Sequence, residues 1–298
     1  MSDAQKLVQE AVGQLVECGT EMGLQVAVYQ HGELVVDTVA GVADSSTGRP
    51  VTPGTPFYSA STGKGVTSTV AHVLVERGAL DYDTPIVELW PEFGAHGKEN
   101  ATLRHVLTHT VGVPGVPPDT TPEDLGNWEK MTSIVANSEP WWIPGEKTTY
   151  HAQTFGYIVG EVVRRATGKT ISQVLLDEVT GPLGVADEVF FGVPEKELGR
   201  LAKLEEPEGI AEMLAMMAGM FAKVAPAAVM PNAEFGNRTD VLTSDIPAGG
   251  TTTARGIARI YAALLGEVHG VRLVSPKRLE EISRVAFTGV DEIMGFPT

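Results

Sequence analysis

The chain has 298 residues with 43% hydrophobic and 20% charged, enough for one large domain or two small ones with a substantial core. That composition excludes intrinsic disorder and collagen-like fibres. The formal net charge of −16 would repel a polyanion, so nucleic acid is excluded as a natural partner. The single cysteine, Cys18, rules out an intrachain disulfide and a Cys-based metal site. The apolar run from Met213 to Met230 is interrupted by Lys223 and Pro226 and makes a poor membrane span. The first residues lack the apolar core of a signal peptide. The expectation is a cytoplasmic protein with no membrane partner.

Taken in chain order, residues 3–22 show apolar pairs at helical spacing (Leu7/Val8, Ala11/Val12, Leu15/Val16) and predict an amphipathic helix. Leu24 to Gln30 alternates and predicts a strand. His31 and Gly32 turn the chain, and Leu34 to Val39 is its hairpin partner. The Gly, Pro, Ser and Thr residues of 41–56 predict a loop. A helix from about Ser61 to Arg77 is closed by Gly78. Beyond it the pattern predicts mostly helices: 102–110, 154–167, 171–178, 209–224, 252–265 and 276–285. Only two strands, 24–30 and 34–39, are expected. The division that follows is 1–60, an N-terminal helix and the first two strands of an α/β half, and 61–298, mainly helical.

Ser61 and Lys64 stand three apart at a helix start, which puts both side chains on one face. A serine hydroxyl is a weak nucleophile until a neighbouring base takes its proton. A lysine can be that base if burial or a nearby cation lowers its pKa from about 10.4. This is the one Ser-x-x-Lys in the chain, and it is flanked by Gly63 and Gly65, each costing roughly 1 kcal/mol in a helix. Glycines there suit a ligand or another backbone that must come close. Two rival motifs fail: a phosphate-binding loop would need Gly at Tyr58 and Ser or Thr at Gly65, and no serine lies in Gly-x-Ser-x-Gly.

Downstream, Trp142 to Gly145 precedes Tyr150, His151, Ala152 and Gln153. Together with Thr55–Lys64, Gly78–Pro85, Leu103–Gly112, Tyr150–Glu161, Gly181–Gly184 and Ala248–Arg255, in this order and spacing, the chain resembles the serine β-lactamase and penicillin-binding-protein superfamily. The likeness is greatest to class C β-lactamases and the related family VIII carboxylesterases. It implies a β-lactamase/transpeptidase-like α/β (α+β) fold, an antiparallel sheet flanked by helices plus a large helical half. It also implies Ser61 as the acylated nucleophile, Lys64 as its base or proton relay, and Tyr150 as the partner that shuttles the proton to the leaving group. Either Lys64 or Tyr150 can be the base. The β-lactamases carry Tyr-x-Asn, whose amide binds the substrate's acylamino group; here Ala152 stands in its place, as in the esterase-type branch.

The function expected is therefore a serine hydrolase forming an acyl-enzyme on Ser61, a carboxylesterase on small esters that needs no cofactor. The alternatives are a D-amino-acid peptidase, amidase or transacylase with the same nucleophile, or a non-catalytic acylated sensor. Tyr58, Trp142, His151, Ala152 and Phe155 are the candidate substrate-binding residues. His105 and His109 lie four apart, but no third ligand follows at metal-site spacing, so no metal is expected. Met213, Met216, Met217 and Met220 form a stripe read first as core packing and second as a flexible lid or acyl pocket. The resembling family has a further motif, His or Lys followed by Ser/Thr/Gly and Gly, on a strand near its C-terminus. No match follows residue 250, so the remaining strands are expected beyond 298, supplied by a complementing segment or by a homo-oligomer. With only a lone hairpin and its uncovered apolar face, residues 1–298 alone are expected to be poorly soluble and nearly inactive.

Overall fold

The computed structural model describes residues 3–298; Met1 and Ser2, the start of the 1–60 segment, lie outside them. Helix α1 (Asp3–Glu17) is shorter than expected, because the chain turns back through Gly19 at a φ of 74°. It lies along the first hairpin, strands β1 (Gly23–Gln30) and β2 (Glu33–Asp44). The Gln5 and Gln9 side-chain amides donate to the Asp37 and Val39 carbonyls, at 3.1 and 3.2 Å. The turn at His31 and Gly32 has positive φ at both residues, as a tight hairpin of right-handed twist requires.

The segment expected to be loop, 41–56, is partly strand. β2 runs on through Gly41, whose φ of 76° and contact with the Met22 carbonyl admit no Cβ, and β3 (Arg49–Pro50) pairs with it. The glycine that looked like a strand breaker is what lets the strand bend and continue. β4 (Phe57–Tyr58) leads into a 3-10 turn, Ala60–Thr62, and then α2 (Gly63–Glu76). α3 (Leu103–Leu107) opens on a capping box made by Thr102 and His105. α4 (Pro122–Leu125) and α5 (Trp128–Asn137) follow. α5 escapes a simple pattern reading because Met131, Thr132, Val135 and Ala136 make a short, mixed buried stripe.

α6 (Thr154–Thr167) is the centre of the helical half: Thr154 through Val163 are all buried, and it packs against α2 and α5. At about 1.5–3 kcal/mol for each large apolar side chain fully buried, this helix is a main source of stability. α7 (Ile171–Leu175) precedes β5 (Val189–Phe190). Next come α8 (Ala211–Phe221), α9 (Ala233–Gly236), α10 (Thr239–Thr243), β6 (Thr251–Thr252), α11 (Ala254–Leu265) and α12 (Pro276–Ile282).

The expected count of two strands is too low. Among the described residues there are two three-stranded sheets, ordered β1-β2-β3 and β4-β6-β5. The second is antiparallel, with Thr252 opposite both Phe57 and Val189. Its strands are two residues long, and β6 lies nearly 200 residues from β4 and about 60 from β5 in sequence, so no local pattern announces them. Nor is the first hairpin alone: β3 extends it, and α1 and α11 pack on it. No helix among the described residues is long and apolar enough to cross a membrane.

Candidate active site

The second sheet fixes the Ser61 turn. Ser59 N–H donates to the Gly250 carbonyl at 2.8 Å, and its hydroxyl lies 3.1 Å from that of Thr252. Ala60 is held at a φ of 43°, left-handed for a residue with a Cβ. Such strain persists where the surroundings over-determine it, and here it aims the next residue, Ser61, into the open. The two flanking glycines have a packing explanation: a Cβ on Gly63 would run into the Gly249 carbonyl, and one on Gly65 into the Tyr261 hydroxyl. Close approach is the reason for both, but the neighbour is the protein itself.

Lys64 is buried, at 7% exposure. Its Nζ lies 3.2 Å from Ser61 Oγ and donates to the Ala248 carbonyl at 2.8 Å. It also sits 4.9 Å from the centre of the Tyr150 ring. Burial pushes its pKa down to about 7, so a large fraction is a neutral amine at physiological pH. Tyr150 moves the other way: burial raises its phenol, only partly opposed by a hydrogen bond with Ser61. Near neutrality one group of the pair is thus in large part a free amine and the other a protonated phenol.

Tyr150 is held from behind. His109, itself at a φ of 57°, stacks on the Tyr150 ring at 4.9 Å and on Phe155 at 5.1 Å. Its Nδ1 accepts from the His151 N–H at 3.1 Å, so the ring is in the Nε2–H form, and burial pushes its pKa down to about 4. His105 Nδ1 accepts from Thr102 N–H at 3.2 Å within the α3 cap. Among the described residues, no group of three or more His, Cys, Asp or Glu is arranged to hold a metal.

In front of Ser61 lies an apolar cavity of about 180 Å³. The structure brings Tyr58 and Ala152 to its wall beside Ser61 and Tyr150, and it does not bring Trp142, His151 or Phe155 there. Trp142 is buried with its indole N–H donating to the Thr110 carbonyl at 3.0 Å. His151 is fully buried, with Nδ1 2.7 Å from the Thr149 carbonyl, and burial pushes its pKa down to about 3. Phe155 faces the core of α6.

The methionine stripe is not core. No residue of α8 is buried, and Met213, Met216, Met217 and Met220 are 40–63% exposed. The helix is apolar nearly all round yet lies on the surface, where Met217 and Phe221 roof the cavity. Sequence reasoning missed Gln153, Met230, Phe235 and Ile246, which also line it. Gln153 was in view beside Tyr150; its amide donates to the Val229 carbonyl at 3.1 Å and ties the Tyr150 segment to the far wall.

A serine paired with a buried lysine and faced by a tyrosine, on a mixed helical and antiparallel scaffold, has the groups that acyl transfer to a hydroxyl requires. The Beta-lactamase family profile matches residues 8–297, and the chain belongs to that family. It is 33% identical over 274 residues to the esterase/beta-lactamase LipL of Mycobacterium tuberculosis, covering 88% of this chain and 63% of LipL. It is 29% identical over 233 residues to esterase EstB of Burkholderia gladioli, covering 70% of this chain and 58% of EstB. It therefore spans less than two thirds of the length of these relatives. A crystal structure of a family VIII carboxylesterase superposes with a TM-score of 0.87 at 30% identity, covering 99% of this chain and 79% of that one.

Proposed function

We propose that the chain is a serine carboxylesterase acting on small esters through an acyl-enzyme on Ser61. The observation that carries this reading is the Ser61–Lys64 pair, 3.2 Å apart, at the foot of an apolar cavity faced by Tyr150. Neutral Lys64 takes the hydroxyl proton as Ser61 Oγ attacks the ester carbonyl carbon. The tetrahedral intermediate collapses, the C–O bond to the alcohol breaks, and the Tyr150 phenol gives the departing alkoxide its proton. The proton held by Lys64 re-protonates Tyr150. A water then gives a proton to the same pair as it attacks the acyl carbon, the bond to Ser61 Oγ breaks, and the pair returns the proton to Ser61 as the acid leaves. The lowered pKa of Lys64 and the raised pKa of Tyr150 support this division of roles.

The cavity favours a short apolar acyl group. An apolar cavity of roughly 150 Å³ accommodates benzene, so this one takes an acyl chain of about six heavy atoms. Met217 lets that wall adapt to acyl shape. Ala152 offers no amide to an acylamino side chain, which favours simple esters over β-lactams. The test is kcat/KM for p-nitrophenyl butyrate and for a chromogenic β-lactam, with wild type and Ser61→Ala. The ester should be preferred and its turnover lost in the variant. A preferred β-lactam, or full ester turnover by Ser61→Ala, overturns the reading.

A further inference from the structure

We propose that Asp291 is a positioning residue for Tyr150, holding the proton donor in register with Ser61; this rests on the serine-esterase reading above. Asp291 is 6% exposed and lies 141 residues from Tyr150 in sequence. Its Oδ2 accepts the Tyr150 N–H at 3.1 Å. Its Oδ1 accepts the Thr149 hydroxyl at 2.8 Å and two N–H groups of its own turn, Ile293 at 2.9 and Met294 at 2.8 Å. The next residue adds a main-chain link, Glu292 N–H to the Thr148 carbonyl at 2.9 Å. Although desolvation opposes it, these donors keep the carboxyl below the usual carboxylate range, so it is ionised whenever the site is working.

The other side of the same segment is held by His109. Its carbonyl accepts the Thr148 hydroxyl at 3.2 Å and the Thr149 N–H at 3.4 Å, and its Nδ1 accepts the His151 N–H. Residues 148–151 are thus gripped from two faces, and Asp291 is the anchor that bonds the Tyr150 main chain itself. The phenol lies at the end of that residue's side chain, so a shift of the main chain is carried to the reacting oxygen. A misplacement of about 1 Å at a reacting group can cost on the order of 100-fold.

Asp291→Asn is the informative variant. It keeps the shape and the Oδ1 acceptor, but it sets an amide N–H against the Tyr150 N–H, so it breaks that one link. With p-nitrophenyl butyrate, kcat should fall roughly 10–100-fold, with KM within about twofold of wild type. In a Tyr150→Phe background the same change should have almost no further effect, because Asp291 acts through the phenol; a general structural role would lower both backgrounds alike. Thr149→Val removes the other side-chain link to Asp291 and should show a smaller fall with the same dependence on Tyr150. It decides the matter if Asp291→Asn does not fold. Unchanged kcat in Asp291→Asn, equal losses in both backgrounds, or failure of both variants to fold overturns the proposal. With any segment that follows residue 298 in place, an inactive wild type overturns the esterase reading and this one with it, whereas an active wild type with an unaffected Asp291→Asn overturns this one alone.

Discussion

Lys98 and Lys64 are both buried amines, and the difference between their surroundings separates a structural group from a chemical one. Lys98 has no exposed surface, yet its ammonium donates to three main-chain carbonyls, those of Ala95, Ala136 and Ser138 at 2.7, 3.1 and 2.6 Å. All three N–H groups are used, and the side chain closes the end of α5 against the preceding turns. Lys64 has one carbonyl, a serine hydroxyl and the face of a tyrosine. Burial of an amine with so few acceptors destabilises its charge and leaves much of it neutral near pH 7. Burial lowers the pKa of both amines, and at Lys64, which has fewer acceptors, it brings it down to about 7.

The same substitution at the two positions should break the molecule in different ways. Lys64→Met is expected to slow ester acylation by roughly 10²–10⁴-fold, the usual contribution of a general base, with the fold retained. Stopped-flow acylation and circular dichroism on the same sample check both halves of that statement. Lys98→Met should act on stability instead. Each buried carbonyl left without a donor costs about 1–3 kcal/mol, so we expect a fall in Tm on the order of 10 °C. The kcat of the folded protein should hardly move.

The contrast sharpens with pH. Lys64 loses its proton near pH 7 in the folded protein and near about pH 10.4 in the unfolded chain. Between those values the unfolded state binds more protons, so stability rises with pH; below pH 7 the fold carries a poorly solvated ammonium. Lys64→Met removes that penalty. Its Tm should exceed that of wild type at pH 6, with the gap closing towards pH 10, whereas Lys98→Met lowers Tm throughout. A Lys64→Met variant less stable than wild type at pH 6 would mean that Lys64, like Lys98, is a satisfied structural ammonium.

The smallest effect belongs to the rim of the Lys64 site, which opens on a cavity where the Lys98 enclosure does not. Ala152→Asn would supply an amide to an acylamino substrate. One net hydrogen bond is worth about 0.5–1.5 kcal/mol, so kcat/KM for a β-lactam should rise roughly 2–12-fold relative to butyrate. No change in that ratio would remove Ala152 from the account of specificity.

What the sequence revealed follows the same division. Ser61 and Lys64 stood out by their helical spacing and Tyr150 only through the family resemblance; the structure brings the three together, and Gly63 and Gly65 marked a crowded turn. The main elements of the helical half were legible where the apolar stripe was long, as in α6 and α11. The two-residue strands β4, β5 and β6 carry no periodicity, since their partners come from distant parts of the chain. Asp291 gave no signal in the sequence; its proposed role exists only because its loop docks beside Thr148. The exposed methionines of α8 misled for a related reason, because an apolar helix reads the same whether it fills a core or roofs a pocket. Lys98 gave no signal, since its partners are main-chain carbonyls.

The account turns on Ser61 being activated by a neutral Lys64, and the rate of fluorophosphonate labelling as a function of pH tests it most directly. The prediction is a single adduct on the peptide carrying Ser61, formed at a rate that rises with pH through about 7 and nearly abolished in Lys64→Met. Labelling of another serine, or labelling of Ser61 as fast at pH 5 as at pH 8, would contradict it.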